Sequence, residues 1–169
     1  KFPGEDENLP TFALLTPDCL RSGLAEHVAL QLAAHVQTPP QQSFQCRLTP
    51  AQVSQLYADF FARCADPARP DPQRAALVQE LFAAGACEVL VWPAHCHAQL
   101  VEAKGATHPA EAAPESIRGR NPIDNTVCNL VHVSDDVAAS ARELRILTEA
   151  AHGGQEERME IGPRMPASG

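Results

Sequence analysis

Residues 129–143 read NLVHVSDDVAASARE, and the way this stretch folds organises the rest of the chain. Leu130 and Val131 form a short β run leading into His132. Ser134, Asp135 and Asp136 follow as a helix-start signature, in which either aspartate can cap the first backbone N–H groups. Val137, Ala141, Leu144 and Leu147 then recur at helical spacing and give one apolar face. His132 is thereby expected at a strand-to-helix junction, with Glu143 about two turns into the helix and able to fold back toward it. A histidine with one ring nitrogen held by an acceptor and the other left open suits a nucleophile. Taken alone, the same residues also describe a packing histidine before a helix cap, so the remainder of the chain must decide.

A chain of 169 residues with 44% apolar content forms one domain with a substantial core. Aromatics make up only 5%, so that core is mostly aliphatic. A net charge of −8 argues against a general nucleic-acid or membrane-surface binder, and any phosphate site must be a local gathering of donors. The six cysteines, at 19, 46, 64, 87, 96 and 128, include no CxxC pair, and several sit in apolar runs. Reduced thiols and a cytoplasmic setting are expected. No apolar run is long enough to span a bilayer. The chain begins at Lys1, as a processed chain or a piece of something longer would.

In chain order, 1–10 is an acidic, proline-broken arm and 11–15 a buried strand. Residues 19–35 follow a helical pattern, 43–48 a modest strand, and Thr49-Pro50 opens a helix through 64. A further helix spans 73–84. Residues 87–92, CEVLVW, are the clearest strand, apolar and β-branched as a central strand should be. Pro93 opens a short helix closed by Gly105. Residues 106–128 have no periodicity, and loops of that length are often functional. After the strand and helix of the opening stretch, 152–169 reads as a flexible or partner-bound tail. The domain therefore spans 11–151. The order β-α-β-α-α-β-α-loop-β-α fits an α+β, ferredoxin-like four-stranded antiparallel sheet with helices packed on it.

Three motifs in this order carry a resemblance. Thr16-Pro17-Asp18 precedes Cys19-Leu20-Arg21-Ser22-Gly23-Leu24; Ser116-Ile117-Arg118-Gly119 follows; and Asn129-Leu130-Val131-His132-Val133-Ser134-Asp135 closes the set. Together they resemble the nucleoside diphosphate kinase family over residues 11–150. The resemblance implies ping-pong phosphoryl transfer through a phosphohistidine, with nucleoside di- and triphosphates as substrates and Mg2+ accompanying ATP or another nucleotide. It implies His132 as nucleophile, Glu143 as the acid orienting its ring, and Ser134 as a hydroxyl bonded to that acid. It also implies that Asn129 contacts sugar and phosphate, that Arg118 and Thr107 bind phosphate, and that Tyr57 stands near the histidine. A homo-oligomer or larger assembly is a further implication.

The chain departs from that pattern at several positions. Thr16 stands where the family has a lysine that neutralises transferring phosphate, and such preorganised cations are worth on the order of a hundredfold in rate. Gln73 falls where a base-stacking phenylalanine belongs, Val101 near a second phosphate arginine, with Lys104 about one turn on to compensate, Val133 at a glycine, and Cys128 at an arginine. The resemblance therefore leaves two functions. One is a divergent nucleotide-binding or structural module with weak or lost phosphotransfer; degenerate family members recur in ciliary, including axonemal, assemblies. The other is an active kinase working through His132. His95-Cys96-His97 lacks a second ligand pair at metal spacing, and no metal site is expected.

Overall fold

A computed structural model describes residues 9–105 and 130–160, with side chains as far as residue 153. The arm at 1–8, the segment 106–129 and the end from 161 lie outside the described residues. Four strands, β1 (Thr11–Leu15), β2 (Gln42–Cys46), β3 (Cys87–Trp92) and β4 (Val131–His132), form one sheet in the order β2-β3-β1-β4. Every pairing is antiparallel. The α+β sheet with packed helices expected from the sequence is the fold observed.

β3 and β1 occupy the centre because they alone are apolar at nearly every position, and a central strand is covered on both faces. Trp92 closes β3 with its indole N–H donating to the Thr38 carbonyl at 3.0 Å. Strand alternation then divides the core. Ala13, Leu15, Leu90 and Trp92 pack on one face against α2 (Ala25–Val36) and α6 (His97–Lys104). Phe12, Leu14, Val89 and Val91 pack on the other against α3 (Pro50–Leu56), α5 (Pro72–Ala83) and α7 (Val137–Glu160).

Helix boundaries differ from the sequence reading in instructive ways. The pattern across 19–35 is two helices, α1 (Pro17–Arg21) and α2, because Gly23 takes φ +71° and breaks the run. The run from Pro50 likewise divides at Tyr57, whose φ/ψ of −111°/39° separates α3 from α4 (Ala58–Cys64). Thr49 starts α3 through a reciprocal capping box with Gln52, worth about 1 kcal/mol. Pro93 leads first into a short 3₁₀ turn at Ala94–Cys96 and then into α6, which Gly105 closes. α7 continues to Glu160, past residue 152 where a tail was expected, so Gly153 and Gly154 do not end it.

Cys19, Cys46, Cys64, Cys87 and Cys96 are buried. Burial pushes the Cys46 thiol up to about 11 and the Cys87 thiol higher still, its neighbour Cys46 adding to the effect. Among the described residues no helix is long and apolar enough to cross a membrane.

Candidate active site

β4 is only two residues long, but its pairing is what places the histidine. Leu14 lies opposite His132 across the antiparallel β1–β4 ladder, and Leu15 opposite Val131. The imidazole therefore joins the face of the sheet that carries Phe12, whose ring centroid is 6.2 Å away. Tyr57, at the break between α3 and α4, presents its ring edge-on to the imidazole at 5.0 Å and also packs 5.5 Å from Phe82. The backbone kink at Tyr57 is thus what brings an aromatic wall against the histidine.

Asp136 resolves the choice of cap left open by the sequence. Its Oδ1 accepts the Ala139 N–H at 2.7 Å, starting α7. The helix then carries Glu143 back to the strand end, where Oε1 lies 2.7 Å from His132 Nε2. Glu143 is only 4% exposed. A carboxylate can only accept, so His132 Nε2 carries the proton and donates it to Glu143. Nδ1 then keeps its lone pair, and among the described residues it has no hydrogen-bond partner. This is the geometry of a nucleophilic imidazole: one nitrogen anchored, the other presenting an electron pair.

The remaining candidates divide. Tyr57 and Lys104 line one cleft of about 1580 Å³ together with His132, Ser134 and Glu143. Lys104 is 8% exposed. Ser134 Oγ is buried and makes no hydrogen bond among the described residues, so the bond to Glu143 implied by the resemblance is not formed. Arg118, Asn129 and Thr107 lie outside the described residues, as do His108, Arg120 and Cys128.

The departures also acquire physical content. Thr16 caps α1, its Oγ1 accepting the Cys19 N–H at 3.4 Å and donating to the Leu130 carbonyl at 3.4 Å. Val133 is buried in the core, and its φ is not positive, so the valine is accommodated without the strain a left-handed position would impose. Val101 packs against the α2–α6 side of the core, and Gln73 is exposed.

Sequence reasoning missed the cleft's other cations and its aromatic face. Arg63, Arg69, Arg74, Arg142 and Arg145 all line it. Arg142 and Arg145, three apart on α7, share a side of that helix, a signal present in the sequence. Arg74 was not legible in this way: it starts α5 beyond an Asp71 cap, and its guanidinium lies 5.5 Å over the Phe60 ring of α4. The pairing depends on two helices meeting. Asp18, Asp135 and Asp136 supply carboxylates to the cleft, and Asp18 is ion-paired with Arg21. Among the described residues no group of three or more His, Cys, Asp and Glu side chains could hold a metal ion, and His97 of the HCH run is instead bonded to Thr11.

The profile of the family described as nucleoside diphosphate kinase matches residues 10–152. The chain belongs to the nucleoside diphosphate kinase family. Nucleoside diphosphate kinases of Methanospirillum hungatei and Methanoregula boonei are each 27% identical to it over 137 residues, covering 80% of this chain and 85% and 84% of theirs. That of Methanoculleus marisnigri is 43% identical over 63 residues, a match spanning 37% of this chain and 42% of that protein. Among solved structures, the apo nucleoside diphosphate kinase of Encephalitozoon cuniculi superposes with a TM-score of 0.68 at 18% identity, over 82% of this chain and 87% of that one. That likeness shows the nucleoside diphosphate kinase fold.

Proposed function

We propose that the cleft binds a nucleoside triphosphate and passes its terminal phosphoryl group to His132, at a rate held down by the missing lysine at position 16. The single observation carrying this reading is the 2.7 Å contact that leaves His132 Nδ1 as the open nitrogen in a family whose members are nucleoside diphosphate kinases. In the proposed step the Nδ1 lone pair attacks the terminal phosphorus and an N–P bond forms. The P–O bond to the leaving nucleoside diphosphate breaks, and its electron pair departs with that oxygen. The ring becomes cationic, and the buried Glu143 carboxylate stabilises the charge through Nε2–H. A second nucleoside diphosphate then attacks the phosphohistidine through a terminal oxygen, which returns the ring to its starting state.

Among the described residues Lys104 is the buried cation lining the cleft, and we assign it the charge that Thr16 does not supply. Arg118, Thr107 and Asn129 take the phosphate and sugar roles that the resemblance implies for them, and Ser134 remains within the catalytic group as a cleft hydroxyl. The Arg74 guanidinium lying over the Phe60 ring offers a planar surface on which a base can stack, with Phe60 backing it, in place of the aromatic absent at Gln73. Magnesium would arrive on the nucleotide's phosphates, with Asp135 at the cleft as an outer carboxylate, and would neutralise phosphate charge there.

A second reading, a nucleotide-binding or assembly module without turnover, is favoured by one observation: Thr16 is committed to capping α1 and bonding Leu130, so the position serves structure. Incubation with γ-labelled ATP and magnesium separates the two. Acid-labile, base-stable label that disappears in His132→Ala supports transfer. Nucleotide binding without label supports the module.

A further inference from the structure

At the Thr11 end of the sheet, three buried polar side chains meet that the phosphoryl-transfer step does not use. Thr11 opens β1, His97 opens α6, and Ser140 lies in the first turns of α7. Thr11 Oγ1 is 2.7 Å from His97 Nδ1 and 3.0 Å from Ser140 Oγ. Thr11 and Ser140 are fully buried and His97 is 7% exposed. His97 Nε2 is buried with no partner among the described residues. An orphaned lone pair is better tolerated in the interior than an orphaned N–H. With Nε2 as the orphaned lone pair, His97 Nδ1–H donates to Thr11 Oγ1, and the Thr11 and Ser140 hydroxyls share a second hydrogen bond in which either can donate.

This cluster lies where the backbone ladder stops. Among the described residues β4 pairs with Leu14 and Leu15 and not with Thr11, and side-chain bonds tie α7 to the strand there. The same two elements carry the His132 site. Leu14, opposite His132, is three residues along β1 from Thr11, and Glu143 is three residues along α7 from Ser140. Residues three apart on a helix share a side and are separated by about 4.5 Å along its axis. A slide of α7 that opened the Ser140–Thr11 bond would also carry Glu143 away from His132 Nε2. Apolar packing alone is non-directional and specifies that register loosely, whereas buried hydrogen bonds are directional and fix it.

We propose that Thr11, His97 and Ser140 form a positioning network that sets the register of α7 against β1 and so holds Glu143 on His132, keeping the imidazole in its Nε2–H form. The consequence for phosphoryl transfer rests on the function proposed above; the consequence for the tautomer does not. The test is ¹⁵N–¹H correlation spectroscopy of the full chain labelled at histidine, which reads which His132 nitrogen carries the proton. Wild type is expected to show the Nε2–H form alone. Thr11→Val, which keeps the shape and removes the hydroxyl, is expected to give a mixture of both tautomers, and Thr11→Ser to restore the single form. Where Thr11→Val does not fold, Ser140→Ala, a one-atom truncation, replaces it with the same expectation. The same variants are expected to lower phosphohistidine formation about tenfold at saturating ATP, with half-saturation unchanged. A folded Thr11→Val or Ser140→Ala protein with an unaltered His132 tautomer overturns the network, as does a wild type lacking the Nε2–H form. A tautomer shift in a protein that takes no label leaves the network standing and removes the transfer proposal instead.

Discussion

A hydroxyl at residue 16 and a carboxylate at residue 143 pull the site in opposite directions. Glu143 fixes the proton on His132 Nε2 through a 2.7 Å bond, so Glu143→Gln, whose amide can donate as well as accept, is expected to loosen that preference. Label on His132 should form about ten- to a hundredfold more slowly in that variant, measured by single-turnover labelling. Thr16→Lys should act the other way. It returns a cation beside the cleft and raises phosphotransfer on the order of a hundredfold, at the loss of about 1 kcal/mol of cap energy, read as a lower denaturation midpoint. No rise in transfer would place the defect elsewhere. Both residues could be read from the sequence, because each lies within a short motif or one helix. The missing Ser134–Glu143 bond could not be, since it depends on where a turn directs one hydroxyl.

Elements set what those residues can reach. The kink at Tyr57 separates α3 from α4, turning Tyr57 onto His132 and leaving Phe60 to meet Arg74 of α5. Phe60→Leu keeps apolar volume but removes the π face. It is expected to weaken nucleoside triphosphate binding about tenfold by calorimetry, while inorganic tripolyphosphate binds as before, because only the base stacks. Equal loss for both ligands would contradict the base platform. At the α1–α2 break, Gly23 has φ +71° with open space around its missing Cβ. Gly23→Ala is therefore expected to destabilise through backbone strain alone, by about 1 kcal/mol in a urea titration. The strands and most helix starts were legible because Thr49-Pro50 and the apolar run 87–92 are local signals. The breaks at Gly23 and Tyr57 were not, since apolar spacing continues across both and only the tertiary fold selects the kink.

Over the whole molecule, the two-faced core and the cleft follow from one topological fact: β4 joins the sheet beside β1, far in sequence from it, and brings the 130–143 stretch onto a ready-made surface. The ferredoxin-like sheet was legible through the order of strands and helices, whereas the gathering of arginines from α4, α5 and α7 on an acidic chain was not, because no single segment is basic. The buried thiols give a global prediction. Cys46 is raised from 9.0 to about 11 in the fold, so the unfolded chain ionises first. This contribution is complete below about pH 9 and is lost between 9 and 11, at about 1.4 kcal/mol per pH unit. Cys46→Ala should flatten the alkaline fall in melting temperature; an unchanged slope would contradict the assignment. The central claim, that Glu143 leaves Nδ1 as the attacking nitrogen, is tested most directly by identifying the phosphorylated atom. After incubation with ATP and magnesium, NMR of the ¹⁵N-histidine protein should show phosphorus coupled to Nδ1 of His132, and phosphorus on Nε2, or none at any histidine, would contradict it.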